Sequence, residues 1–364
     1  MRTYDQMKDL ISVSTLERIS RAGKNPPLSG WNDTPGVFQV HENYGLRKAI
    51  CPILWFEEDR SFTGLGTAFS LDEWGGLLTA DHVISDARLR EKPKPEDDGS
   101  FSFEISGERG LVAMLGHDRP LGDSSLKKGA LAHILDTVSP ALPEDNPISI
   151  LQGKADHRPF DMAILRYDTP GRIKTQNLPI SQSPPIPNIG DRVVALGYPG
   201  MSIENNPRPN VDFRITDVLA AAYGWVTDVY PNGRDRSNFT PVFQVDAYWP
   251  SGMSGGPVFN SQGEVIGIVS RSIAPKDNDT PGTGWATMLG AIPNLAYWAP
   301  TLAHEGPDYR AGWTTSDYRN DHPIYYLTES EALAEAKKLA PHARIYRSEH
   351  KIGSIESIVY QKWQ

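Results

Sequence analysis

The sequence predicts a mainly β protein whose short strands form two barrel- or sandwich-like groups. Three observations carry this expectation. Apolar runs rich in β-branched and aromatic residues recur between turn residues, the pattern of short strands rather than of a bundle. The 364 residues include 32 glycines and 30 prolines, far more punctuation than helices tolerate. The segment SPPIPN at 183–188 then separates one set of apolar runs from the next. The length suits one large or two medium domains, and 39% hydrophobic residues supply a core.

Taken in order, residues 2–22 place Met7, Leu10, Ile11, Leu16 and Ile19 at helical spacing until Gly23, Pro26 and Pro27 end the pattern. A helical arm over residues 1–40 is therefore expected. From Lys48 the texture becomes AICPILWF, GTAFSL, GGLLTA, FSFEIS and MAILRY; it resumes as RVVALGY, VFQVDAY, PVFNSQGEVIGIVS and GWATML. These runs define a main domain over 41–300, in two groups at about 45–180 and 186–300. The charge-rich stretch 85–157 reads as an insertion of loops with a short helix near 126–135. Past residue 300, Thr328 and Glu331 form a capping box before SEALAEAKKLA, and Pro341 closes that helix. With IYYL, ARIYR and SIVYQ around it, a small α+β appendage is expected over 301–364.

Composition narrows the function. With 36 basic against 45 acidic residues, the net charge of −9 leaves no basic surplus for phosphates, so nucleic-acid binding is not expected. The single cysteine, Cys51, excludes an internal disulfide, a cysteine zinc site and an iron–sulfur cluster, and fits a reducing interior. The N-terminal segment carries Asp5, Lys8, Asp9, Glu17 and Arg18 and does not read as a signal peptide. No apolar run approaches the roughly 18 residues a membrane span needs. A cytoplasmic protein with no membrane contact is the resulting expectation. The remaining histidines lack metal-ligand spacing, and HExxH, P-loop and dinucleotide fingerprints are absent, so no metal or cofactor is implied.

Three segments carry chemistry. GTAFSLDEWGGLLTADHVI delivers His82 from the end of a strand; DMAIL places Asp161 directly before an alternating strand; GMSGGPVF sets Ser254 among three glycines. A serine hydroxyl needs a base to take its proton, and a histidine ring can serve. A carboxylate on the other ring nitrogen would fix the tautomer and stabilise the imidazolium. Asp161 is the candidate, with Asp156 as the alternative third member; Asp161 is preferred because its strand starts immediately after it. The N–H groups of Gly252 and Ser254 must converge on an oxyanion, which calls for backbone conformations that side chains resist. G-x-S-x-G also matches the α/β-hydrolase elbow at Gly252–Gly256. That elbow needs an α/β chain with the histidine last, which is not seen here.

In the order His, Asp, Ser, these segments resemble the trypsin-like serine peptidases of the chymotrypsin fold, closest in texture to the HtrA-type branch of bacteria. The resemblance runs over about 45–295 and includes GDRVVALGYPG, QVDAYWPSGMSGGPVF and VIGIVSRSI. It implies two six-stranded Greek-key β-barrels with the active site between them. It further implies a His82–Asp161–Ser254 triad, an oxyanion hole at Gly252 and Ser254, and a substrate-pairing edge at Ser270, Arg271 and Ser272. It also puts Ser270 within reach of the Asp161 carboxylate. Tyr248 corresponds to the base of the primary pocket and Gly284 to its far wall, which implies a small or apolar residue before the cleaved bond. Asp277 and Asp279 lie in a nearby loop. Two departures stand out. No PDZ-like module follows the barrels, and Met253 replaces the aspartate of the family's zymogen switch. The leading expectation is an intracellular serine endopeptidase acting on a protein or peptide substrate. The alternative is a partner-gated effector or binding module with a protease fold, docked by a regulatory protein in a bacterial stress or defence system.

Overall fold

The apolar runs on either side of SPPIPN close into separate barrels with the same winding. The computed structural model describes residues 37–40, 46–56, 61–71, 76–85, 94–95, 101–104, 110–115, 122–126, 131–142, 151, 158–167, 178, 180, 183–205, 213–217, 219–235, 238–276, 281–295, 307–313, 325–326, 328–339 and 343–349. The first barrel consists of β1 (Ile50–Phe56), β2 (Phe62–Ser70), β3 (Gly76–Thr79), β4 (Gly110–Met114), β5 (Leu131–Ser139) and β6 (Ala163–Tyr167). The second consists of β7 (Arg192–Gly197), β8 (Ala220–Tyr230), β9 (Val242–Val245), β10 (Pro257–Phe259), β11 (Val265–Ile273) and β12 (Thr283–Met288). Around the first, the antiparallel order is β6-β3-β2-β1-β4-β5, closed by β5 on β6; around the second it is β8-β7-β10-β11-β12-β9, closed by β8 on β9. In each, three meandering strands are followed by a fourth that returns beside the first, which is the Greek-key crossing. The expected pair of six-stranded Greek-key barrels of chymotrypsin type is therefore present.

Burial explains why β1 and β7 read as continuous apolar runs. Along β7, Val193 and Ala195 face the second barrel's own core, while Val194 and Leu196 join the larger core cluster that fills the first barrel. A strand buried on both faces has no polar face to alternate. Tyr198 extends that shared core, and its hydroxyl donates to the carbonyl of Ile50 on β1 at 3.0 Å. Each fully buried large side chain of this kind contributes about 1.5–3 kcal/mol.

Several elements differ from expectation. The stretch 85–157 supplies β4 and β5, two of the six strands of its barrel, instead of a mere insertion. Strand Gly122–Leu126 and strand β5 occupy the region expected to be helical. The reason lies in register: Ile134 faces Tyr167 but Asp136 faces Arg166, so a one-residue bulge breaks the alternation of buried Ala132, Ile134, Thr137 and Ser139. Residues 2–22 lie outside the described residues, whereas Val37–Gln39, at the end of the expected arm, is a strand paired with Ala220–Ala222 of β8. The helix Glu329–Leu339 forms with Thr328 as its cap: Glu331 N–H donates to Thr328 Oγ1 at 3.3 Å, and the Glu331 side chain accepts the threonine hydroxyl, not its backbone N–H, at 2.9 Å. Its sheet orders Tyr325–Tyr326, Pro307–Trp313 and Ala343–Glu349, with the first of these in sequence, Pro307–Trp313, unforeseen. SIVYQ lies outside the described residues.

The barrels are joined at Thr67 on β2, a fully buried residue. Its N–H donates to the carbonyl of Ser254 at 2.8 Å, and its hydroxyl donates to the carbonyl of Gly252 at 2.7 Å. The same hydroxyl accepts the N–H of Tyr198 at 3.0 Å, while its carbonyl accepts the hydroxyl of Thr79 at 2.7 Å. Thr67→Val keeps the shape and removes the hydroxyl, leaving Gly252 O and Tyr198 N without a partner. The expected cost is roughly 2–4 kcal/mol in urea unfolding, against under about 1 kcal/mol for Thr63→Val on the exposed part of the same strand.

Candidate active site

His82 owes its position to the end of β3. Ala80 is still extended, with φ −81° and ψ 143°, and one 3-10 turn, Asp81–Ile84, follows. The Ser85 hydroxyl donates to His82 O at 2.8 Å, and buried Asp81 accepts the Ser139 hydroxyl at 2.5 Å, tying the turn to β5. His82 meets Asp161 twice. Its backbone N–H donates to Oδ1 at 3.1 Å, and its ring Nδ1 lies 2.9 Å from Oδ1 and 3.1 Å from Oδ2. An ionised carboxylate only accepts, so Nδ1 carries the proton and Nε2 of the neutral ring keeps its lone pair.

Asp161 precedes β6 of the first barrel, yet the second barrel holds it. Ser270 Oγ on β11 donates to its Oδ2; its N–H donates to Thr240 Oγ1 at 3.1 Å; Thr287 Oγ1 on β12 donates to its carbonyl at 2.9 Å. Burial alone would push the Asp161 carboxyl up. The bond and charge of His82, with the Ser270 hydroxyl and the His82 N–H, outweigh it and hold the group below its ordinary value. For His82, burial and then Arg271 oppose the charged ring, while the Asp161 bond and charge, with a smaller part from Asp81, prevail and raise it.

Ser254 sits in the β9–β10 connection, where Gly252 (φ +97°) and Gly255 (φ +84°) adopt backbone angles that favour glycine. Met253 N–H donates to Pro250 O at 3.1 Å, Gly255 N–H to Val269 O at 2.8 Å and Gly256 N–H to Met253 O at 2.9 Å. The N–H groups of Gly252 and Ser254 have no acceptor among the described residues, so two donors flank the serine hydroxyl uncommitted. A Cβ on Gly255 would fall 2.1 Å from Thr67 O and 3.2 Å from Ala80 N, which measures how closely this loop rests on the segment leading to His82. Met253 is wholly buried in the core of the second barrel.

The remaining candidates surround this centre. Ser270, Arg271 and Ser272 lie on β11 beyond Ile268, its last residue paired with β10. From there, apart from the bonds of Val269 to Gly255 and Gly256, that edge carries no strand among the described residues. Tyr248 is half-buried, with its Cβ 3.0 Å from the place a Cβ on Gly282 would take. Gly284 is not an open wall: a Cβ there would lie 2.8 Å from the ring of Trp249, which is 3% exposed and whose carbonyl accepts the Ser272 hydroxyl at 2.6 Å. Asp156, Asp277 and Asp279 lie outside the described residues. Thr67, Thr240, Thr287 and Trp249 escaped the sequence reading. Thr67 alone left a signal, lying in the segment that delivers His82. No cluster of three metal-ligating side chains occurs among the described residues.

Residues 66–268, more than half of the chain, match the trypsin-like peptidase domain, and the chain belongs to that family. It is 24% identical over 267 residues to a probable periplasmic serine endoprotease, DegP-like, of Pseudomonas fluorescens, covering 72% of this chain and 40% of that protein. It is 35% identical over 128 residues to the serine endoprotease DegS of Escherichia coli, covering 35% and 31%. The chain thus matches well under half the length of these relatives. A serine endoprotease structure from Yersinia pestis aligns with 79% of this chain and 73% of its own, at 18% identity and a TM-score of 0.36.

The charge arrangement has a direct readout. An NMR titration of the His82 ring is expected to give a midpoint above the usual 6.5. In Asp161→Asn, burial and Arg271 act with the carboxylate gone, and the midpoint is expected to fall below 6.5. An unchanged midpoint would contradict the assigned contact.

Proposed function

We propose that the chain is a serine endopeptidase that hydrolyses peptide bonds through Ser254, His82 and Asp161. The observation that carries this reading is the short contact of His82 Nδ1 with the buried, multiply bonded Asp161, next to a serine loop latched onto the same strand system. Neutral His82 takes the Ser254 proton through Nε2 as the hydroxyl oxygen bonds to the scissile carbonyl carbon. The imidazolium that forms is stabilised by Asp161, which stays ionised. The N–H groups of Gly252 and Ser254 receive the oxyanion. His82 then protonates the leaving amine as the C–N bond breaks; water, deprotonated by His82, bonds to the acyl carbon, and His82 passes that proton to Ser254 Oγ as the ester bond breaks.

Because the base must be neutral, kcat/KM is expected to rise with pH through the raised His82 midpoint. A peptide extended along Ser270, Arg271 and Ser272 would add a strand to the free edge of β11. Trp249 supports a small residue before the cleaved bond, since its ring fills the space in front of Gly284. The lone Cys51, 3% exposed, supports a reducing, cytoplasmic setting, and cell fractionation tests it.

Ser254→Ala is expected to abolish labelling by a fluorophosphonate probe and to lower casein cleavage by at least about a thousandfold with unfolding unchanged. Labelling that persists in Ser254→Ala sinks the proposal. Profiling a peptide library should show alanine, serine or valine before the cleaved bond. Trp249→Val should admit leucine or phenylalanine there with a gain in kcat/KM of about tenfold or more.

A further inference from the structure

Beside His82 and Asp161 lies an open cavity of about 200 Å³. Its wall includes Arg234, Ser270, Arg271 and Trp285. One guanidinium lies over an indole here, and a second arginine lines the same cavity. Arg234 stacks over the Trp285 ring at 4.9 Å from the centroid, and Arg271 on β11 is the cross-strand partner of Trp285 on β12. An arginine held over an indole still has N–H groups to donate to a planar acceptor. Both arginines are exposed, and neither forms an ion pair among the described residues. The two acidic groups of the wall are committed elsewhere, Asp81 to Ser139 and Asp161 to His82 and Ser270. The cavity thus brings two cations without an ion pair among the described residues next to His82 and Asp161.

We propose that this cavity is an acid-binding subsite, in which Arg234 and Arg271 together receive an aspartate or glutamate side chain of a protein substrate. The inference rests on the endopeptidase reading and names the substrate class for it: extended segments with an acidic residue within a few positions of the scissile bond. Two guanidinium groups around one carboxylate give charge-assisted, forked hydrogen bonds that glutamine cannot match. The free edge of β11 runs through Arg271, so a strand added there carries its alternate side chains past the cavity.

The test uses equilibrium binding, so that it does not depend on turnover. Fluorescein-labelled alanine/serine decapeptides, each with one glutamate at a different position, and their glutamine counterparts are titrated into the full chain carrying Ser254→Ala. At one or two positions glutamate is expected to bind at least about tenfold tighter than glutamine, with the advantage shrinking as salt rises. The advantage should disappear when Arg234→Ala and Arg271→Ala are added, both changes at exposed side chains. Equal or undetectable binding of the two peptides at every position, or an advantage that survives the double change, overturns the proposal. Cleavage by the unaltered chain is measured in parallel. A glutamate preference in binding without any turnover would overturn the hydrolase reading and leave the subsite, whereas turnover with no such preference does the reverse.

Discussion

The arrangement of the site depends on one buried threonine. Thr67 uses its N–H, its carbonyl and both capacities of its hydroxyl, and three of its four partners are backbone groups of the second barrel. Two of those partners, Gly252 O and Ser254 O, belong to the loop that presents the serine. The carbonyls are thereby turned toward β2, and the N–H groups of Gly252 and Ser254 are left uncommitted. A strand one residue out of register would place Thr67 on the other face and lose every one of these bonds. The register of β1 on β2, with Pro52 opposite Thr67, is thus a condition on the geometry around Ser254 in the other barrel.

The electrostatics show the same mutual dependence. Asp161 belongs in sequence to the first barrel, and its burial would disfavour the charge unless partners compensated it. Of the partners of the carboxylate, His82 comes from its own barrel and Ser270 from the second, whose Thr240 and Thr287 hold the aspartate's backbone N–H and carbonyl. Separating the barrels would strip the aspartate of those three hydroxyls at once. Packing of Tyr198, Val194 and Leu196 against the first barrel and charge compensation at Asp161 therefore form together.

The legibility of the fold followed local chemistry. Strands with valine, isoleucine or aromatics at alternating positions, such as β6 and β11, were visible, as was the capped helix at Thr328. The sequence of β8, AAAYGWVTDVY, begins with alanines that pack tightly in the second barrel but carry no strand preference of their own. β5 was masked by its bulge, since the shift between Ile134 and Asp136 turns a two-residue period into something resembling a helical one. The candidate site was legible where chemistry demands a residue type, at His82, Asp161, Ser254 and Ser270. It was illegible where any hydroxyl or large ring in the right place would serve, at Thr240, Thr287 and Trp249. Arg234 is a case of the same kind: its place beside the site comes from the β8–β9 turn and a stacking contact with Trp285, which no spacing in the chain announces.

Trp249 and Thr67 also divide the two demands that fall on the second barrel. An opening at the end of a barrel core exposes apolar surface, and a large ring can fill it from within. Trp249 does so at the cost of an indole N–H that finds no acceptor among the described residues, a deficit of about 1–3 kcal/mol if dry. Its contact with Gly284 leaves no space for a methyl group, and the Ser272 hydroxyl on its carbonyl fixes the backbone from which the ring projects. The ring therefore sits in a slot defined by β11 and β12, the strands that also hold Asp161 through Ser270 and Thr287. The space before Gly284 and the hydroxyls that bond Asp161 are accordingly set by the same two strands, β11 and β12.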